Sequence, residues 1–508
     1  TGIEQQLVEI WQEVLGIEKI GVTDNFFELG GHSLLIGQII NRVYKQLHKS
    51  LSYKSFFETP IIEELGKELS NATYSSIAQA ITAPYYPLTT SQHRIWILSQ
   101  LEGGNLAYNM PGVYRLKGDL DVLKFEEAFK LLIKRHEILR TNFKVNETGE
   151  IHQYITQEDA FEFSLLEKDL TNQSKTEIEQ LLEEEHAHSF DLANGLLLKA
   201  TIFKAQDNEH IFSLGMHHII SDGWSMELLI SEVISMYNSL VLHKEFNLPK
   251  LEIQYKDYVA WLQSELTKEH YKAAEKYWLS QFQGELPILD LPCFRKRPKV
   301  QTYNGKTLTY SFSKSFLEKL KVFSKSNDVT LFMTLMSGVN TLLYRYTNHN
   351  DIIIGTPIAG REHPDLENQI GLYLNTLAIR TKIEEANSFL DVLEHQKETL
   401  LSAYEHQSYP FDELVNKLNV PRDTSRSVLF DVMVVLQNQG QLHSVKSNNN
   451  LKGIQVEDYY VEHTKAKFDI SFTFVERKGL ELSIEYNTDI YDDFLIERMF
   501  THYENLMS

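Results

Sequence analysis

Residues 216–225, MHHIISDGWS, combine side chains that could carry out acid–base chemistry. Histidine titrates near neutral pH, so whichever of His217 and His218 faces a cleft could accept or donate a proton. Asp222 could turn away from a substrate and hold the backbone through a salt bridge. Gly223 lets the chain approach closely, and its N–H could stabilise a developing oxyanion. The pattern suggests a catalytic site, although two histidines at the end of a strand can also serve packing alone.

The spacing of the same residues disfavours a metal site. Successive side chains on a strand point to opposite faces, so His217 and His218 cannot easily bind one ion. A helical zinc pair needs histidines at positions i and i+4, and no cysteine pair is present to help. We therefore predict no metal. The lone Cys293 has basic neighbours, but we expect it to be a bystander.

A second candidate residue is Ser33, within DNFFELGGHSLL at residues 24–35. Two glycines precede it and an apolar helical run follows, so it could simply cap a helix. It could also accept a phosphoryl-linked group, because the free N–H groups and the dipole of a helix start favour a phosphodiester. A serine-hydrolase turn is a poor alternative, since Leu35 occupies the position of the last glycine in G-x-S-x-G.

Different elements must position these two sites. Residues 1–70 are expected to form a small all-α unit, because apolar residues recur at helical spacing on both sides of a glycine-rich loop. Residues 71–86 are small and polar without a clear period, and are expected to be a linker. In residues 87–508, helical patterns alternate with β-rich runs, which predicts an α/β region. That length is large for one core, so we expect two lobes, 87–270 and 271–508.

Composition limits the class of protein. The chain has 508 residues, 42% hydrophobic and 23% charged, as in an ordinary soluble globular protein. Its formal net charge of −21 repels phosphate backbones and anionic lipids, which argues against nucleic-acid and membrane partners. A single cysteine cannot form an internal disulfide, which fits a reducing cytoplasm. The chain lacks an initiator Met, and we expect it to be a segment of something longer.

Residues 1–70 resemble the peptidyl carrier protein of nonribosomal peptide synthetases. The likeness rests on EIWQEVLGIEKIGVTDNFF followed by the motif GGHS. In that family the serine of this motif carries a 4′-phosphopantetheine arm, so the resemblance implies that Ser33 is the attachment site. His32, just before it, is the variant usual in carriers that pass their cargo directly to a condensation domain.

Residues 87–508 resemble the condensation domain of the same synthetases. HHIISDG matches the H-H-x-x-x-D-G signature of that domain. Its other motifs follow in the family's order: LTTSQHRIWIL (88–98), RHEILRTNF (135–143), YKDYVAW (255–261), IGLYLNTLAIR (370–380), HQSYPFDEL (406–414) and RDTSRSVLFDV (422–432). The two resemblances together cover essentially the whole chain.

The second resemblance implies an α/β fold of two chloramphenicol-acetyltransferase-like lobes arranged in a V around a tunnel. His218 would face the tunnel, either as a general base or as a group that orients the amine and stabilises the tetrahedral intermediate. His217 and Asp222 would be structural, and Asp222 would pair with Arg135 or Arg140. Five residues apart on a helix, these arginines lie on different faces, so only one is expected to pair.

The implied activity is peptide-bond formation between two carrier-bound thioesters, with the donor on Ser33 and the amine on a downstream acceptor carrier. The implied partners are an upstream adenylation domain, downstream adenylation and acceptor carrier domains, and a phosphopantetheinyl transferase. A heterocyclisation domain is disfavoured because it would show D-x-x-x-x-D in place of HHIISDG. A catalytically silent docking module and a related acyltransferase of the same fold remain alternatives.

Overall fold

Four helices bury the apolar stripes of the first 70 residues. The structure, a computed structural model, describes residues 2–171, 173–246, 248–293, 295–421, 423–437, 451–459, 461 and 464–508, leaving aside the side chains of Ser33 and Leu34. The helices are α1 (Gly2–Leu15), α2 (Ser33–Leu47), α3 (Tyr53–Glu58) and α4 (Ile62–Glu68), and two short strands, β1 (Lys49–Ser50) and β2 (Ser70–Asn71), pair beside them. Their core is separate from that of the rest of the chain, and the predicted all-α unit is confirmed.

This small core is centred on Trp11 of α1, which is fully buried. The Trp11 ring lies edge-on to Phe26 at 5.1 Å between ring centroids, and stacks on Phe56 at 6.1 Å. Such aromatic pairs stabilise a core beyond the area that they bury. The three rings hold the loop before α2 against α1 and α3, and so fix the place where α2 begins.

The first lobe follows a connecting segment without helices or strands. Its helices are α5 (Thr90–Ser99), α6 (Gly104–Ala107), α7 (Val122–Arg135), α8 (Lys175–His186), α9 (Gly223–Leu242) and α10 (Tyr255–Glu265), and α11 (Glu269–Gln281) crosses the predicted boundary between the lobes. Its strands are β3 (Asn109–Gly118), β4 (Thr141–Val145), β5 (Ile151–Ile155), β6 (Leu166–Asp169), β7 (Leu198–Gln206) and β8 (Glu209–His217). Short 3₁₀ helices cover Glu137–Arg140 and His218–Ile220.

The second lobe repeats the mixture of helices and strands. Its strands are β9 (Gly305–Ser311), β10 (Asp351–Ile358), β11 (Asn375–Lys382), β12 (Val432–Gln437), β13 (Ile454–Asp458), β14 (Ile470–Glu476) and β15 (Leu480–Asn487). Its helices are α12 (Lys314–Ser326), α13 (Leu331–Thr347), α14 (Phe389–Glu405), α15 (Phe411–Leu418) and α16 (Asp493–Met507), with a 3₁₀ turn at Pro364–Leu366.

Each lobe is built on its own sheet, so the predicted two-lobed α/β fold is confirmed. The five strands of the first sheet run in the order β13-β3-β8-β7-β6, and the six of the second in the order β11-β10-β12-β14-β15-β9. Strand β13 lies in the part of the chain that we expected to belong to the second lobe, yet it pairs antiparallel with β3. The second lobe therefore lends an edge strand to the first. Across the described ranges, no helix has the length and apolar character needed to cross a bilayer.

Candidate functional site

The histidine motif occupies the turn between β8 and α9. Strand β8 ends at His217, a single 3₁₀ turn covers His218–Ile220, and α9 begins at Gly223. Asp222 caps this helix, because its Oδ1 accepts a hydrogen bond from the N–H of Ser225 at 2.8 Å. The cap fixes where the strand stops and the helix starts, and so sets the positions of the histidines and of Gly223.

His217 is fully buried and holds the turn together. Its Nδ1 accepts a hydrogen bond from the backbone N–H of Ile219 at 3.2 Å. Burial, helped by the ammonium of Lys467, lowers the pKa of His217 to about 3, so its ring is neutral at neutral pH. These contacts support the structural role expected for this residue.

The His218 side chain is only partly buried. Its backbone N–H donates to the carbonyl of Tyr108 at 2.8 Å, and its ring lies edge-on to the Tyr108 ring at 6.3 Å. Its Nδ1 is buried and, within the described part of the chain, has no hydrogen-bond partner, so a substrate would have to reach the other ring nitrogen, Nε2. Burial, and then the ammonium of Lys467, lower the pKa of His218 well below its usual value. A neutral imidazole can accept a proton from a reacting group through the ring nitrogen that carries no hydrogen.

Asp222 pairs with Arg361, so the prediction of Arg135 or Arg140 as its partner is wrong. The Asp222 carboxylate and the Arg361 guanidinium are both buried and lie 3.2 Å apart. Arg135 instead pairs with Glu232 of α9 at 3.1 Å. The physical reason is position along α9, since Glu232 lies ten residues beyond Asp222, or about 15 Å along the helix axis.

Arg140 also contacts a group other than Asp222. Its guanidinium donates to the carbonyl of Thr156, between the 3₁₀ turn that follows α7 and the end of β5. Sequence reasoning missed Arg361, which stands only three residues after the buried strand β10. A charged residue next to a buried strand was the available signal, but it gave no indication of the partner.

The Asp222–Arg361 pair joins the two lobes at the site. The second carboxylate oxygen of Asp222 accepts from the N–H groups of Tyr373 and Leu374, at 2.9 and 3.2 Å, just before β11. Arg361 donates to the hydroxyl of Ser225 at 2.8 Å, and its guanidinium lies 4.2 Å from the centre of the Tyr373 ring. The carboxylate is thus fully hydrogen-bonded, which offsets the cost of burying its charge.

The carrier-like unit presents the start of α2. Ser33 is the first residue of that helix, and its side chain lies outside the described residues. Gly30 adopts φ +90°, and a Cβ on Gly31 would lie 2.4 Å from the Phe26 ring, so the loop needs both glycines. Burial lowers the pKa of His32 to about 4. His32 makes no side-chain cap hydrogen bond, which leaves the first N–H groups of α2 without a cap from that residue.

The same unit rests on the second lobe. The Asn41 amide donates to the backbone carbonyl of Arg361 at 3.0 Å, which places α2 directly against the residue that holds Asp222. The Phe57 ring of α3 stacks on Tyr404 of α14, at 5.8 Å between centroids. Polar and aromatic contacts together therefore fix the carrier-like unit on this face.

One cavity links the two candidate sites. It has a volume of about 2990 Å³, and its lining includes Gly31 and His32 beside Ser33 as well as Gly223 and Trp224 at the start of α9. Gly223 is exposed, and a Cβ there would meet nothing within 4 Å. His218 is not in this lining, so its expected orientation into a tunnel stays a prediction. The residues of the H-H-x-x-x-D-G motif that line the cavity are Asp222 and Gly223.

Replacing Tyr404 with alanine should loosen the carrier-like unit from the second lobe. The Phe57 ring would lose its stacked partner, and such a pair contributes about 0.5–1.5 kcal/mol beyond the burial of area. Small-angle scattering should then show a larger radius of gyration. Phe57→Ala, which removes the carrier-like unit's ring from the same stacked pair, should increase the radius of gyration as well. Tyr310→Ala, a substitution on β9, is the control, and an unchanged radius in both interface variants would contradict this role.

Comparison with known proteins places both parts of the chain. The model of the condensation domain family matches residues 83–508, and that of the phosphopantetheine attachment site matches residues 5–69. Over 99% of this chain, 40% of the residues are identical to bacitracin synthase 3 of Bacillus licheniformis and 37% to gramicidin S synthase 2 of Brevibacillus brevis. The chain spans only 8% and 11% of the lengths of those two relatives.

Solved structures show the same fold for the larger part. A chain from the complex of the X-domain and OxyB from teicoplanin biosynthesis aligns with a TM-score of 0.77 at 23% identity, over 86% of this chain and 96% of that one. The first condensation domain of the calcium-dependent antibiotic synthetase gives 0.68 at 19% identity, over 84% and 97%. The chain belongs to the condensation domain family and, with a phosphopantetheine attachment domain ahead of it, is a carrier–condensation didomain of a nonribosomal peptide synthetase.

Proposed function

We propose that this segment transfers an aminoacyl or peptidyl group, held as a thioester on Ser33, to the amine of an acceptor on a second carrier. The observation that carries the proposal is the shared cavity. The loop that presents Ser33 and the glycine that ends the histidine motif line the same space. An acyl group tethered at the first place therefore needs no separate channel to reach the second.

The start of α2 fits a phosphopantetheine arm. The two glycines bring the backbone close, the helix start favours a phosphodiester, and the lowered pKa of His32 keeps that side chain neutral beside it. When bound, the arm supplies a thiol on which an acyl group is carried in activated form. Ser33 would hold it, and the loop of Gly31 and His32 would direct it into the cavity.

His218 and Gly223 are the residues that we propose for the chemical step. As the acceptor amine attacks the donor carbonyl, a C–N bond forms and the C–S bond breaks. The Nε2 of His218 accepts the amine proton, which then passes to the leaving thiolate. Among the described residues, nothing accepts a hydrogen bond from the N–H of Gly223, which leaves it available to the oxyanion at a helix start.

Holding both reactants on carriers supplies proximity, which is often the largest contribution to such a reaction. Adenylation domains and a further carrier, the general partners of synthetase modules, would provide the loaded thioesters. We also propose that a phosphopantetheinyl transferase modifies Ser33, and that the protein works in the cytoplasm, where its single cysteine stays reduced.

The attachment of the arm can be tested directly. Incubation with coenzyme A and a phosphopantetheinyl transferase should raise the mass of the protein by one phosphopantetheine, as measured by intact-mass spectrometry. Ser33→Ala should abolish the gain. Ser52→Ala removes the serine that caps α3 in the same unit and should gain mass like the wild type. A wild-type protein without the gain, or a Ser33→Ala variant with it, would contradict the assignment.

A further inference from the structure

The wall of the shared cavity contains a carboxylate that the proposed reaction does not use. Glu227 lies on α9 and lines the cavity together with Gly223 and Trp224. Glu227 is the fourth residue after Gly223, so both lie on one face of the helix, about one turn apart. A group that reaches the N–H of Gly223 from the carrier side therefore has Glu227 beside it.

The surroundings of Glu227 are largely apolar. Met110, Tyr114, Met226 and Ile230 line the same cavity, and Tyr114, whose pKa burial raises, lies near enough for the charge of Glu227 to raise that pKa further. Over the ranges that the structure describes, Glu227 forms no hydrogen bond and no ion pair. Burial alone raises the pKa of its carboxyl to about 7, and no neighbouring cation opposes the shift. The protein thus partly buries a carboxylate and leaves it without a counter-charge.

Three other acidic residues of this cavity have a basic partner, whereas Glu362, whose pKa burial also raises to about 7, has a hydrogen bond from Gln407 instead. Glu28 pairs with Lys325, Glu476 pairs with Lys321, and Asp222 pairs with Arg361. An uncompensated charge is costly to bury, and groups of this kind in clefts are often there for a ligand. The missing counter-charge of Glu227 is what a bound cation would supply.

We propose that Glu227 binds an ammonium group of the donor, so that this site prefers acyl donors that carry a positively charged amine. The inference rests on the proposed function, because the donor is the group delivered from Ser33 into the cavity that Glu227 lines. The apolar neighbours would receive the carbon chain between the thioester and the amine. The ammonium could belong to the donor's side chain or be its free α-amine.

The experiment loads Ser33 with synthetic acyl groups from the matching acyl-coenzyme A compounds and a phosphopantetheinyl transferase. A soluble leucyl thioester serves as the acceptor, and single-turnover rates of dipeptide formation are measured. N-acetyl-lysyl and N-acetyl-norleucyl donors differ in the side-chain ammonium, while leucyl and N-acetyl-leucyl donors differ in the α-ammonium. The two pairs of donors therefore distinguish the two sources of the charge.

We expect the wild type to use the charged member of at least one pair about 10-fold faster, which corresponds to ~1.4 kcal/mol. Glu227→Gln should remove that preference while it keeps the wild-type rate for the neutral donor, which also shows that the variant is folded. Glu476→Gln, at a cavity-lining carboxylate that already has a lysine partner, should change neither rate.

The outcomes separate the two proposals. Dipeptide formation at equal rates within both pairs, or a preference that survives in Glu227→Gln, overturns the role of Glu227 and leaves the proposed function standing. No dipeptide from any donor on a correctly loaded protein overturns the proposed function, and this inference with it.

Discussion

Replacing His218 with alanine should lower the single-turnover rate of peptide-bond formation about 10²–10⁴-fold, the contribution typical of a well-placed acid–base group. The variant loses the imidazole whose Nε2 is proposed to accept the amine proton. Loading of Ser33 should be unchanged, because the carrier-like unit has its own core. The rate is measured with donor and acceptor already loaded, so that loading cannot limit it.

The pH dependence of the wild type should carry the same signature. The pKa of His218 is lowered well below its usual value, so the ring stays neutral as the pH falls from 7 to 6. Only at lower pH does protonation remove the acceptor nitrogen. The His218-dependent loss of rate should therefore occur well below pH 6.5, and the ratio of wild-type to His218→Ala rates should be constant from pH 6 to 7.

His349→Ala, an exposed histidine after α13, is the matched control and should keep the wild-type rate. A His218→Ala variant as fast as the wild type would remove the proton-accepting role. A wild type that forms no peptide from loaded carriers would instead favour the catalytically silent docking module. The two failures are distinguishable because only the second affects the unmodified protein.

The parts of the site that the sequence predicts are those set by neighbouring residues. The apolar alternation of β8, the capping preference of Asp222 and the helical run after Gly223 all act within a few residues of one another. The turn that they predict is present, and His217 bonds back to Ile219 within it. The carrier-like helices follow from apolar spacing for the same reason.

The partner of Asp222 could not be predicted in this way. Arg361 lies 139 residues further along the chain, and only the assembly of the two lobes brings it to Asp222. Strand β13 is a second case, because five residues with little pattern of their own can pair with either sheet. Contacts between residues so far apart in sequence depend on how the two lobes assemble and on which sheet has an unpaired edge strand. The spacing of residues within one helix or strand contains no information about either.

Replacing Asp222 with alanine should destabilise the condensation domain by about 3–5 kcal/mol, since it leaves the buried guanidinium of Arg361 without its counter-charge. The same substitution removes the cap of α9 and the acceptor for the N–H groups of Tyr373 and Leu374. The free energy of unfolding is measured in urea by tryptophan fluorescence. Peptide-bond formation should fall as well, because the turn that carries His218 and Gly223 loses its anchor.

Asp121→Ala separates the buried pair from the cap. Asp121 also caps a helix, since its Oδ1 accepts from the N–H of Lys124 at 3.1 Å, but it holds no buried arginine. Loss of a cap alone costs about 0.5–2 kcal/mol, so Asp121→Ala should lie in that range and keep its activity. If Asp222→Ala were no more destabilising than Asp121→Ala, the pair with Arg361 would contribute little, and the link between the lobes would have to reside in other contacts. If Asp222→Ala is more destabilising than Asp121→Ala, as we expect, the histidine motif is anchored to the second lobe, on which the carrier-like unit also rests. Arg361 then contacts both parts of the protein, because its carbonyl accepts from Asn41 of the carrier-like unit and its guanidinium donates to Asp222 of the motif.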